Sequence, residues 1–272
     1  MIENDRKRKK NNYMSRTSYS NQGSEKLKKY WNSTETAKNY VNIASVLAGF
    51  AFTAVVLVVQ STIPMPNNTL LRDWSSIAFL IGFFGCVVSS FTFSVIVGEE
   101  EIFPRSFALM LLAGGGFAIS GIYLFWGLAI LIKLFLTADI ASVSKWIFGG
   151  SLILIPMYLI SSAADILIAN KLYNNRQETI SKKKYFYLFI AGYFPILVGI
   201  FFQFILSRQP VSSFSPIFNL SIIFSLALII LGNAIAFWVS HKNDSFRLDF
   251  IPILFWIFLH SCIFGLLTIL LQ

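Results

Sequence analysis

The chain has 272 residues, 56% of them hydrophobic and 13% charged, where an ordinary soluble domain carries about 25% charged residues. Its 28 Phe and a mean hydropathy of +0.66 exclude a water-soluble globular protein and make the bilayer the solvent for most of the chain. The formal charge of +9 reads as membrane topology and not as a nucleic-acid surface, because the cations gather in the polar gaps between apolar runs.

Residues 1–24 are polar, rich in Asn and Ser, and carry Lys7, Arg8, Lys9 and Lys10. This composition predicts a disordered basic tail. Near an anionic headgroup each Lys or Arg contributes about 1 kcal/mol, so anionic lipid is the partner the tail fits. In residues 25–41, Leu27, Tyr30, Trp31, Thr34 and Val41 recur near helical spacing, predicting an interfacial amphipathic helix. The first apolar run comes too late for a cleaved secretory signal and is expected to stay as an anchor.

Residues 42–271 then read as a transmembrane helical bundle. Apolar runs lie near 42–62, 74–97, 106–132, 145–170, 186–207, 217–240 and 250–271. Each can cross the ~30 Å hydrocarbon core, which takes about 20 apolar residues in a helix. None alternates with period two as a barrel strand would. The expected fold is therefore all-α, a polytopic bundle of about seven transmembrane helices.

The cations orient it. Summed over alternate gaps, 18 Lys or Arg lie on one side and 4 on the other. The positive-inside rule puts the N-terminus in the cytoplasm, with Gln272 at the outer face of a cell membrane. Glu99, Glu100 and Glu101 read as a solvated turn. Gly82, Cys86, Ser90 and Ser94 at intervals of four, and Gly116 with Ser120, predict close helix packing in a compact bundle, with homo-oligomers as a further expectation. Cys86 and Cys262 fall inside spans with no disulfide or metal-ligand spacing, so neither metal nor cofactor is implied.

Few polar groups interrupt the spans. Asp165 stands in YLISSAADILIAN, where Tyr158, Ser161, Ser162, Asp165 and Ala169 share a helical face. Asn233 and His260 lie at comparable depth, about 10 and 15 Å from the cytoplasmic ends of their spans at 1.5 Å per residue. Protonatable groups inside a membrane mark proton relays and ion paths. The candidate intramembrane site is thus Asp165, Asn233 and His260, with Ser161 and Ser162 beside the acid.

Two local resemblances carry less. GFAFTAVV, residues 49–56, resembles part of the pore helix of Orai calcium channels, but Leu57 stands where that family places its selectivity glutamate. GGSL, residues 149–152, resembles the segment around a rhomboid-protease serine, with His260 as a base. The residues after His260 and a second span without His or Asn depart from that family. No connection is large enough for a separate catalytic domain, and enzymatic activity is not expected. Two classes remain: a small channel or carrier for ions, protons or solutes, and a scaffold or sensor whose basic cytoplasmic face binds lipids or a partner.

Overall fold

A computed structural model describes residues 32–60, 69–98, 104–135, 138–173, 180–206, 210–241, 246 and 248–270. The helices are α1 (Ser33–Gln60), α2 (Thr69–Val97), α3 (Pro104–Phe135), α4 (Ala138–Tyr173), α5 (Lys182–Leu206), α6 (Ser215–Ser240) and α7 (Phe250–Ile269). A 3-10 turn, Val211–Phe214, leads into α6. Among the described residues, seven helices are long and apolar enough to cross a membrane. The protein is an all-α, multi-pass membrane bundle.

The tail of residues 1–24 lies outside the described residues, as do 25–31 of the expected interfacial helix. Its remainder is continuous with the first span, because α1 runs unbroken from Ser33 to Gln60. Asn32 starts that helix. Its Oδ1 accepts the Glu35 amide at 3.2 Å and its Nδ2 donates to the Glu35 carboxylate at 3.3 Å. The Oδ1 contact satisfies one amide that the helix itself cannot. Replacing Asn32 by Ala is expected to cost about 1 kcal/mol, seen as faster amide exchange in the first turn of α1.

Lipid tails are as apolar as Leu, so helices in a bilayer associate through close packing and interhelical hydrogen bonds. The small residues place those contacts. α3 is the hub: it packs against α1, α2, α4, α6 and α7, and its apolar window is the most buried of the seven. On α2 the face meeting α3 is Gly82, Gly85, Cys86 and Ser89, with Ser90 half-buried and Ser94 exposed. A strict four-residue interval gains about 40° per step on a 3.6-residue helix, so the stripe expected from Gly82 to Ser94 turns off the interface.

α5 docks mainly on α7, where Gly199 and Gly265 bring the two backbones together. The outward face of α5, including Phe186, Phe189, Phe194, Phe201 and Phe204, is exposed and meets lipid. On α4, Tyr193 of α5 donates its hydroxyl to the Ile153 carbonyl at 2.8 Å. This is close to Pro156, whose missing amide opens the helix ladder.

Candidate functional site

Three consecutive glycines at the middle of α3 each face a polar side chain of a different helix. A Cβ on Gly114 would lie 3.1 Å from the Tyr158 hydroxyl of α4. One on Gly115 would lie 2.5 Å from His260 Nε2 and 2.8 Å from Trp256 Nε1, both of α7. One on Gly116 would lie 2.7 Å from Ser89 Oγ of α2 and 3.4 Å from Asn233 Nδ2 of α6. Successive residues point about 100° apart around a 3.6-residue helix. Without side chains, the triad admits a ring of polar groups at one depth.

From the Gly116 side of this ring, polar groups run along α6 in both directions. Toward the end of α6, Asn233 Oδ1 accepts the Thr92 hydroxyl, and Asn233 Nδ2 donates to the Ile229 carbonyl at 2.8 Å. This pair lines a cleft of about 180 Å³ between α2 and α6, floored by Leu109 and reaching Ser240. Toward the start of α6, Tyr123 donates its hydroxyl to Ser221 Oγ at 3.1 Å and lies 3.0 Å from Ser225 Oγ, whose single hydrogen points to the closer Ser221 carbonyl at 2.6 Å. Ile229 separates the two groups on α6, but Ser89 and Ser120 stand beside it. Ser221 to Ser240 spans about 28 Å at 1.5 Å per residue, close to the ~30 Å hydrocarbon core. Beyond Ser221 the track is closed. Phe218 stacks on Trp74 and Trp126, with centroids 4.6 and 5.4 Å apart.

Protein-family models, curated proteins and solved structures give no match to this chain. Its function has to be read from the chemistry of the site.

Of the residues singled out from sequence, Asn233 sits on this track. His260 is fully buried at the same depth but faces Gly115, on the neighbouring side of α3. Its Nδ1 lies 2.7 Å from the Trp256 carbonyl. A carbonyl only accepts, so Nδ1 carries the hydrogen and a neutral ring presents Nε2 as an acceptor. Among the described residues, His260 Nε2, Trp256 Nε1 and Ser89 Oγ are buried without a hydrogen-bond partner, as are Trp126 Nε1 and Ser261 Oγ.

Asp165 is elsewhere. It is half-buried and engaged, about 10 Å along α4 from Tyr158 at helical rise. α4 packs on α3, α5 and α7, which leaves the acid away from Asn233 of α6. Ser161 is exposed, and Ser162 is half-buried next to Tyr158. Ser151 donates to the Phe148 carbonyl at 2.6 Å on its own helix, and so is not poised on His260 as a protease serine would be.

The residues that complete the track are Ser89, Thr92, Ser120, Tyr123, Ser221 and Ser225. A signal for three of the α6 positions was present: Ser221, Ser225 and Asn233 are spaced by multiples of four in an otherwise apolar run. Single hydroxyls attract less notice than an acid, because a serine in a membrane helix satisfies itself on its own backbone. Ser221 and Ser225 both do this, on the Phe218 and Ser221 carbonyls.

Proposed function

We propose that the protein is a carrier for protons or a small polar solute, with the path along α2, α3 and α6. The observation that carries this reading is that α6 bears two polar groups, Ser221 and Ser225 on Tyr123 of α3 and Asn233 on Thr92 of α2, which with Ser240 cover a length close to the thickness of the hydrocarbon core. A polar group in the membrane interior is costly and tends to mark substrate or ion pathways. The cleft holds Thr92, Asn233 and Ser240 and opens on the bundle surface between Phe91 and Phe237, while Trp74, Phe218 and Trp126 pack across α6 at its other end. The aromatic packing across one end suits a carrier better than an open channel. The basic face predicted from the charge census would make the cleft end cytoplasmic.

Reconstitution into liposomes loaded with a pH-sensitive dye tests the proposal. An imposed pH gradient should collapse faster than in protein-free vesicles, and a panel of small polar solutes should show whether one of them competes. Flux equal to the protein-free rate for protons and for the whole panel would reject transport. It would favour a scaffold in which the same hydroxyls are interhelical glue, a use membrane helices also make of Ser and Thr.

A further inference from the structure

We infer that α5 and α7 hold one anionic phospholipid, with an acyl chain in the groove between them and its phosphate on the lysines at the start of α5. The groove encloses about 350 Å³ and is lined by Tyr187, Ile190 and Ala191 of α5 with Leu254, Phe255 and Phe258 of α7. Every one of these side chains is apolar or aromatic, and Tyr187, Ile190, Phe255 and Phe258 are exposed to the bilayer. Apart from the Tyr187 hydroxyl, the wall offers no hydrogen-bonding side chain. It fits a hydrocarbon chain.

The charge sits at one end of this groove. α5 begins with Lys182, Lys183 and Lys184, all exposed. Lys184 Nζ lies 5.2 Å from the ring centroid of Phe250, the first residue of α7, which fixes the lysines beside the start of both helices. Of the described residues there, Asp249 alone is acidic. Basic pockets between membrane helices at the cytoplasmic side select anionic headgroups. A chain-shaped apolar groove ending in three cations matches one molecule bearing both features. The site uses other residues than the basic run at 7–10, and it does not depend on the transport reading.

Spin-labelled phosphatidylglycerol and phosphatidylcholine with identical chains, added to vesicles containing the full-length protein, test the assignment. Phosphatidylglycerol should associate about five- to thirtyfold more strongly, the scale of one or two lysine–headgroup contacts at about 1 kcal/mol each. Lys182→Gln, Lys183→Gln and Lys184→Gln together should bring the two lipids to parity. Ile190→Trp, at an exposed position that narrows the groove without touching the charge, should lower the bound phosphatidylglycerol. Neutralising Lys7, Arg8, Lys9 and Lys10 to Gln should leave the preference in place. Equal association of both lipids with the parent would overturn the assignment. So would a preference that survives in the lysine variant, or one that disappears with the tail charges.

Discussion

Gly199→Ala is expected to loosen the seam between α5 and α7 and to lower stability by about 1–3 kcal/mol, the range for overpacking a tight interior. A Cβ at Gly199 would lie 2.8 Å from the Gly265 Cα and 2.9 Å from its carbonyl carbon. Both are backbone atoms, so no rotamer change relieves the clash and the helices must move apart. The same substitution elsewhere should behave differently. At Gly192 the nearest atom is Ile160 Cδ1, 2.6 Å away, the end of a flexible side chain that can turn aside. At Gly49 nothing lies within 4 Å. There the gain in helix propensity, up to about 1 kcal/mol, meets no opposing contact. Unfolding midpoints in a graded denaturing-detergent titration should therefore rank Gly199→Ala lowest, Gly192→Ala between, and Gly49→Ala at or above the parent. A Gly199→Ala midpoint equal to that of Gly49→Ala would show that the two helices do not approach as closely as described.

The second large effect is on flux. Thr92→Val with Asn233→Leu removes the deep polar pair of the cleft while keeping similar side-chain volumes. Replacing both partners avoids the penalty of leaving one polar group unpaired, so the bundle should keep its stability. A permeating proton or solute loses interactions worth about 1–3 kcal/mol, and 1.36 kcal/mol is tenfold in rate. The double variant should therefore carry flux at least about tenfold lower in the dye-loaded liposomes. Asp165→Asn, a change off the track, should keep the parental rate. The reverse pattern, with Asp165→Asn inactive and the double variant unaffected, would move the path to α4 and discard the assignment to α6. Tyr123→Phe separates the two halves of the track. It removes the hydroxyl joining Ser221 to Ser225 and should slow flux if protons pass the closed end.

Much of the fold was legible in the sequence because the solvent imposes it locally. Hydrocarbon demands that each crossing satisfy its own backbone, and a run of about 20 apolar residues has only the helix for that purpose. The spans near 74–97 and 250–271 therefore match α2 and α7 closely. The expected interfacial helix lies partly outside the described residues. Its described part, residues 33–41, continues into the first span as the first turns of α1, since nothing between Ser33 and Gln60 interrupts helical hydrogen bonding.

The site was less legible. Asp165, Asn233 and His260 stand out because their side chains are expensive in lipid, and similar depth suggested that they meet. Depth is one coordinate, and azimuth is another. His260 and Asn233 reach the same level of α3 on neighbouring sides, at Gly115 and Gly116. By itself, the sequence determined the helical class, the number of spans among the described residues and the polar positions within them. Only the tertiary structure decided which polar faces converge. That choice depends on Gly114, Gly115 and Gly116, whose missing side chains let Tyr158, His260, Ser89 and Asn233 approach the hub from four separate helices.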